Sequence, residues 1–261
     1  ITSFWWWFYL GFCAFTILKK NYLMTNEANI AIVYPGQGSQ SVGMMNNIIS
    51  LDSEIKKIFD IASEILKYDI LKLISEGPKE RLNQTEVTQP AILLTSYALW
   101  LLWKRKSKLR PAVLAGHSLG EYTALLCAGV INFEDAVNLV SERGKSMQQS
   151  VPSDMGAMAA IIGLDGNILE NLCADASKNE IVSVANYNSP SQIVISGHKV
   201  AVEHVINAAK EAGAKKAVLL PVSVPSHCML MKKAADEFSH LLNSITFNDP
   251  EIPILQNVDA K

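Results

Sequence analysis

An α/β fold is predicted for this chain by three observations. Short apolar runs alternate with amphipathic stretches from Asn29 onward. A serine between glycines, in Gly116-His117-Ser118-Leu119-Gly120, stands where one such run gives way to a helix-forming stretch. Residues 157–222 then read as strand, helix, strand, strand, helix, strand, the order of a split ferredoxin-like unit.

The elements follow in order. Asn29–Tyr34 (NIAIVY) is a buried strand ended by Pro35-Gly36. Over Ser53–Lys67, residues Ile55, Ile58, Phe59, Ala62, Ile65 and Leu66 fall on one helical face. Pro90 is read as the opening of a helix whose sequence, AILLTSYALWLLW, is apolar all round and predicts a central buried position. The basic stretch Lys104–Arg110 and Pro111 close it, and Ala112–Ala115 is the next strand. In the second pattern the strands are Ala157–Gly163, Ile181–Tyr187, Gln192–Ser196 and Ala217–Val222, with helices over Asn167–Ser177 and Lys199–Ala212 and a turn at Asn188-Ser189-Pro190. Residues 152–222 are thus expected to form a small subdomain inserted into a larger body of residues 24–151 and 223–261. Val224–Met231 and a helix over Lys232–Asn243 return to that body, and Ile254–Lys261 reads as one more strand with its exit. No closing helix follows, so a truncated C-terminus is expected.

The chain has 261 residues, is 49% hydrophobic and 18% charged, and carries a formal net charge of −2. That balance gives no support for a nucleic-acid binder. Cys13, Cys127, Cys173 and Cys228 form no CxxC pair, which argues against a disulfide scaffold and a structural zinc site and fits a reducing cytoplasm. No metal site is expected. Ile1–Leu18 is uncharged and rich in aromatic residues, at the lower edge of what spans a bilayer. Lys19-Lys20 follow that run instead of preceding it, and no small-residue cleavage site appears, so it does not read as a secretory signal. It is read as translated sequence ahead of a start at Met24, in preference to a membrane anchor or the tail of a longer upstream segment. The rest of the chain faces the cytosol on any of these readings.

The chemistry concentrates in a few residues. The G-x-S-x-G pentapeptide forms a nucleophile elbow when a strand leads in and a helix leads out, and both are present. Such a turn exposes the Ser118 hydroxyl, and the following helix turns the Leu119 amide toward an oxyanion. A serine nucleophile needs a base. Of the five histidines, His117 lies inside the elbow, and His198, His204 and His240 read as surface residues in or beside helices. His227 follows Pro221-Val222-Ser223-Val224-Pro225-Ser226, a proline-stiffened loop leaving a strand, where sites assemble. Arg143 falls on the apolar stripe of Phe133, Ala136, Val137, Val140 and Met147, so its guanidinium points inward and must be paired. The partner is a structural carboxylate or a carboxylate on a substrate, and the residues alone lean to the first. Gly36-Gln37-Gly38, after the first strand, brings backbone amides near a ligand, but lacks the pattern of a nucleotide loop.

Five motifs in order carry a resemblance: Gly36-Gln37-Gly38-Ser39-Gln40, Gly116-His117-Ser118-Leu119-Gly120-Glu121-Tyr122, Arg143-Gly144-Lys145-Ser146-Met147-Gln148, Asn186-Tyr187-Asn188-Ser189-Pro190 and Val224-Pro225-Ser226-His227. From about Ile30 to the last residue the chain resembles the malonyl-CoA:acyl carrier protein transacylases of type II fatty-acid synthesis. The resemblance implies an α/β-hydrolase-like body with a short parallel sheet and an inserted ferredoxin-like βαββαβ subdomain. It implies Ser118 as the nucleophile that carries the malonyl ester, His227 as general base and then acid, and Arg143 as the holder of the free malonyl carboxylate. The amides of Gln37 and Leu119 would form the oxyanion hole, and Asn188 would line the pocket without a catalytic role. No cofactor is implied; malonyl-CoA and holo-acyl carrier protein are substrates, and the carrier is the expected partner. In the family a main-chain carbonyl beyond the strand ending near Asn257 orients the histidine, and that segment and a closing glycine-rich region are not in this sequence.

Three other readings compete. A serine hydrolase would use the same elbow with water in place of the carrier thiol. An acyltransferase domain of a polyketide synthase is less favoured, because the pattern starts only a few residues after Met24 and so reads as a stand-alone protein. A membrane-tethered scaffold would rest on residues 1–23 alone. The run Lys104-Arg105-Lys106-Ser107-Lys108 reads as a solvated helix end in preference to a carrier-docking patch, and Cys228 as a buried free cysteine.

Overall fold

A computed structural model describes residues 30–49, 53–152, 154–178, 180–222 and 224–260. The predicted N-terminal segment 1–23, the start at Met24, Asn29 of the first strand, and Ser223 lie outside the described residues. Contacts divide the described chain into two units. One runs to Lys145 and resumes over Leu241–Gln256; the other comprises Ser146–His240 and Asn257–Ala260.

In the first unit, strand β1 (Ala31–Tyr34) is followed by helices α1 (Asn46–Ile49), α2 (Ser53–Leu66), α3 (Ile70–Glu76), α4 (Lys79–Leu82) and α5 (Thr85–Lys106), then strand β2 (Val113–Gly116) and helix α6 (Gly120–Cys127). Helix α7 (Phe133–Ser150) carries the chain toward the second unit. The sheet has the order β1-β2-β7, with the short β7 (Ile254–Leu255), and both pairings are parallel. Register runs from Ala31 opposite Val113 to Tyr34 opposite Gly116, so the two strands end side by side. Helix α2 buries Ile55, Phe59 and Ala62, the centre of its predicted stripe.

Helix α5 corrects one expectation. It starts at Thr85, with Gln84 as its N-cap, and Pro90 lies inside it instead of opening it. Proline removes one ladder hydrogen bond and crowds the carbonyl four residues back. Burial of Val87, Ala91, Leu93 and Leu94 on all sides holds the helix through that defect. The predicted central position holds for the first half of that run, with Ala91 through Leu94 buried, whereas Leu99 in its second half is exposed, so the helix is not covered all round there. Lys104, Arg105 and Lys106 fill its last turn, where cations complement the helix dipole, and Lys104 lies over the Trp100 ring. Among the described residues no helix is long and apolar enough to cross a membrane.

The second unit holds β3 (Gly156–Ile162), α8 (Gly166–Ala176), β4 (Val182–Ser189), β5 (Gln192–His198), α9 (Lys199–Glu211) and β6 (Lys216–Leu219), then a 3₁₀ turn (Met229–Met231) and α10 (Lys232–Leu242). The four strands are antiparallel in the order β4-β5-β3-β6. Counted within the block that is 2-3-1-4, the sheet of a split βαββαβ unit. Alternation sorts its faces. Ala159, Ile161, Ile193 and Ile195 pack against Leu169 and Cys173 of α8 and Val202, Val205 and Ala209 of α9, while Met158 and Val194 form a separate cluster with Ala185.

Several boundaries differ from those the sequence predicts: strand β4 runs through Asn188 to Ser189, where the sequence predicts a turn, because its pairing with β5 continues to Ser189 opposite Gln192. Strand β5 runs on to His198 because β3 pairs with it along its whole length, Gly156 opposite His198. His198 is accordingly half-buried, not the surface residue expected, and accepts a hydrogen bond from the Ile181 amide at 3.0 Å. Strand β6 stops at Leu219, ahead of the predicted Val222, because Pro221 has no amide to extend the ladder.

Candidate active site

Strand β2 runs directly into the serine. Ser118 adopts φ +51°, the left-handed region that costs a side-chain-bearing residue about 1–3 kcal/mol. The turn is pinned at both ends: the His117 amide donates to the Tyr34 carbonyl at 3.0 Å, and the Gly120 amide to the His117 carbonyl at 2.9 Å. Both flanking glycines are required by space. A Cβ on Gly116 would lie 1.9 Å from the Gly120 carbonyl carbon, and one on Gly120 would lie 2.2 Å from the Tyr34 oxygen. Those neighbours are backbone and cannot swing away. Gly120→Ala is therefore expected to cost about 3 kcal/mol or more, as a forced core overpacking does; urea unfolding of the variant measures it.

Helix α6 starts at Gly120 with Leu119 as its flank, which places the Leu119 amide among the unpaired donors of the first turn and aims the dipole at the serine. Gln37 lies three residues beyond the end of β1, on the loop beside the elbow, since β1 and β2 end in register. Its side chain is tied down, Nε2 donating to Thr85 Oγ1 at 3.0 Å, which anchors the loop to the start of α5. Ser39 closes the loop by donating to the Gly36 carbonyl at 2.6 Å.

Arg143 is 4% exposed, on the inward face of α7 as its stripe predicts. Its NH1 donates to Gln89 Oε1 at 2.8 Å and its NH2 to Ser118 Oγ at 3.1 Å. The guanidinium lies 5.5 Å from the centre of the Tyr122 ring, within the range of a cation–π contact. The sequence predicted a carboxylate as partner; these bonds go to a carboxamide and a hydroxyl. Burial lowers the guanidinium's pKa from its ordinary value, opposed by Tyr122 and then by Glu121. Burial likewise pushes the Tyr122 hydroxyl up to about 12, with Arg143 pulling the other way. The close approach of α7 to α5 depends on Gly144, where a Cβ would sit 2.6 Å from the Glu86 Cα.

Gln89, Glu121 and Tyr122 were not singled out for the site from sequence. The available signal was Thr85, Thr88 and Gln89, three polar residues at helical spacing just ahead of the apolar run AILL; all three are fully buried.

His227 stands in the second unit, in the turn Ser226-His227. Its φ of +62° is again left-handed. Pro225 braces the turn: it packs where a Cβ on Gly156 would come within 2.3 Å of its ring, and its carbonyl accepts from Cys228 Sγ at 3.2 Å. Cys228 is buried, and burial pushes its thiol pKa up, the opposite of a nucleophile's environment. Asn188 lies near the end of β4. Ser118, Gln37, Leu119 and Arg143 are thus gathered in one unit, and His227 belongs to the other.

A cavity of about 370 Å³ lies between β1 and α5, lined by Ile32, Val33, Tyr34, Leu99, Trp100 and Trp103 among others, and none of the site residues lines it. Among the described residues there is no group of three or more His, Cys, Asp or Glu side chains arranged to hold a metal ion.

The family model described as the acyl transferase domain matches residues 31–261. The chain is 53% identical to the malonyl CoA-acyl carrier protein transacylase of Escherichia coli over 231 residues, 88% of this chain and 75% of that protein. The chain belongs to the malonyl-CoA:acyl carrier protein transacylase family. The Haemophilus influenzae transacylase is 52% identical over 88% of this chain and 74% of its own length. Among solved transacylases, the acyl carrier protein S-malonyltransferase from Vibrio cholerae is 54% identical with a TM-score of 0.86, covering 90% of this chain and 76% of that one. A malonyl-transacylase in complex with its type II PKS acyl-carrier protein is 49% identical with a TM-score of 0.88, again covering 90% and 76%. The parallel three-stranded sheet and the antiparallel βαββαβ unit are the α/β architecture of these transacylases.

Proposed function

We propose that this protein transfers the malonyl group from malonyl-CoA to the phosphopantetheine thiol of acyl carrier protein, through an ester on Ser118, for fatty-acid biosynthesis. One observation carries the reading: a buried cation, Arg143, stands 3.1 Å from the Ser118 hydroxyl, where an acyl group ending in a carboxylate needs one. A hydrolase of neutral esters gains nothing from a guanidinium kept out of water at its nucleophile.

In the first half-reaction His227 takes the Ser118 proton and the serine oxygen bonds to the thioester carbonyl carbon. The amides of Gln37 and Leu119 receive the oxyanion. The C–S bond breaks, and the CoA thiolate leaves with the proton from His227. In the second half the carrier thiol gives its proton to His227 and attacks the ester, and Ser118 leaves reprotonated. Arg143 holds the malonyl carboxylate in both halves. The complex formed by a 49% identical transacylase with its carrier supports acyl carrier protein as the partner. Residues 24–151 and 223–261 serve as the catalytic body and 152–222 as its insert. The cytoplasm is the working compartment, in keeping with the free, buried Cys127, Cys173 and Cys228.

Intact-mass measurement tests the reading. Malonyl-CoA alone should leave one malonyl group on the protein, and added holo-carrier should remove it as malonyl-carrier. Steady release of free malonate without carrier would instead identify a hydrolase.

A further inference from the structure

We propose that Thr85 is a positioning residue for the oxyanion hole: its hydroxyl holds the Gln37 side chain and so fixes the direction in which the Gln37 backbone amide points. The inference rests on the reading of that amide as an oxyanion donor for acyl transfer on Ser118.

The loop that carries Gln37 has little stiffness of its own. Glycine stands on either side of Gln37, and Gly38 adopts φ +108° with open space where a Cβ would be. Glycine leaves the backbone on both sides free to turn. The loop nevertheless lies against the elbow, since a Cβ on Gly36 would come 2.5 Å from the His117 carbonyl oxygen. Two side chains tie it to the segment that starts α5. Gln37 Nε2 donates to Thr85 Oγ1 at 3.0 Å, and Gln40 Nε2 donates to Asn83 Oδ1 at 2.9 Å. Gln40 Oε1 also accepts from the Gly38 amide at 2.8 Å, which sets the peptide on one side of Gln37. The bond to Thr85 sets the residue itself, and with it the amide on the other side.

The anchor is rigid. Thr85 is completely buried at the first position of α5, and Thr88 Oγ1 donates to the Leu82 carbonyl at 2.6 Å across the helix start. The backbone of Thr85 has a separate task. A Cβ on Gly144 would lie 2.8 Å from the Thr85 carbonyl oxygen, so the helix that carries Arg143 seats on that carbonyl. A change confined to the hydroxyl therefore reaches the Gln37 loop and leaves the seat of α7 in place. The oxyanion forms on the way to the tetrahedral intermediate and is absent from the bound thioester, so a misdirected donor costs rate and not binding. Malonyl and acetyl thioesters form the same oxyanion and depend on Thr85 alike.

The experiment measures single-turnover acylation of Ser118 by malonyl-CoA and by acetyl-CoA, over a range of concentrations. The proteins are the unaltered one, Thr85→Val, Thr85→Ser, Gln37→Met, and Thr85→Val combined with Gln37→Met. Thr85→Val keeps the shape and removes the hydroxyl. It should lower the limiting rate about tenfold for both substrates, less than outright loss of an oxyanion donor, with the half-saturating concentration within about twofold. Thr85→Ser retains the hydroxyl and should acylate at close to the normal rate. Gln37→Met keeps the backbone amide, removes the side-chain donor and should match Thr85→Val. The double variant should be no slower than either single one, because both changes cut the same bond. A purely structural role for Thr85 would move rate and half-saturation together and make the two changes multiply. That pattern overturns the proposal, as does a normal limiting rate in Thr85→Val. If Thr85→Val does not fold, Gln37→Met on the half-buried loop decides: a normal limiting rate there overturns the proposal. If the unaltered protein takes up no malonyl group, the proposed function fails separately. Cleavage of p-nitrophenyl acetate, whose attack by Ser118 forms the same oxyanion, then supplies the rates for the same comparison.

Discussion

The Ser118→Ala protein should take up no malonyl group and retain less than about one part in 10⁴ of the transfer rate, as expected when a nucleophile is removed from a set of residues that act together. The change is small in space. The flanking contacts at Gly116 and Gly120 involve backbone, and the His117 and Gly120 amide bonds that pin the turn do not use the hydroxyl. Arg143 loses a bond of 3.1 Å to Ser118 but keeps the one of 2.8 Å to Gln89. Stability should therefore change by no more than about 2 kcal/mol. Intact-mass spectra after malonyl-CoA, with urea unfolding alongside, check both halves. A variant that is equally stable and still carries malonyl would remove Ser118 from the mechanism.

Local features were the legible ones. The elbow is readable because every requirement lies within ten residues: a β-forming run, two glycines around a serine, and a helix-forming run. The βαββαβ block is readable because its periods switch cleanly between two and 3.6 and short turns separate them. Arg143 was recognisable as inward from the apolar stripe of Phe133, Ala136, Val137, Val140 and Met147. Its partners were not, because Gln89 lies 54 positions away on another helix and nothing in the periodicity of α7 points to it. Pro90 concealed that partner a second time. Reading it as the first helical residue left Gln89 outside the helix, when it is buried within α5 and accepts a hydrogen bond from the guanidinium. The usual rule for proline failed there because tertiary burial outweighed one lost hydrogen bond. The order β1-β2-β7 was equally out of reach, since a two-residue strand more than a hundred positions downstream completes it.

The second large effect concerns His227. Its backbone φ of +62° limits which replacements are informative. Alanine would carry the same left-handed strain as in Ser118→Ala, but it would also remove a whole ring from the turn, so lost activity in that variant would mix chemistry with a loosened loop. Asparagine tolerates the conformation and is close in size, but has no group that accepts a proton near neutral pH. His227→Asn should therefore keep the turn, which Pro225 braces through Gly156 and Cys228. It should lower the acylation rate by about 10³-fold, within the range general-base catalysis contributes. The malonyl-to-acetyl ratio should remain near that of the unaltered protein, because the proposed function gives the malonyl carboxylate to Arg143 in the other unit. Removing the base and the nucleophile together should be no worse than removing the nucleophile, since the histidine has nothing to activate once the hydroxyl is gone. Single-turnover acylation of His227→Asn, and of the same change combined with Ser118→Ala, measures this. A His227→Asn protein that acylates within a few-fold of the normal rate would assign the proton to another group and leave His227 a structural residue of its loop.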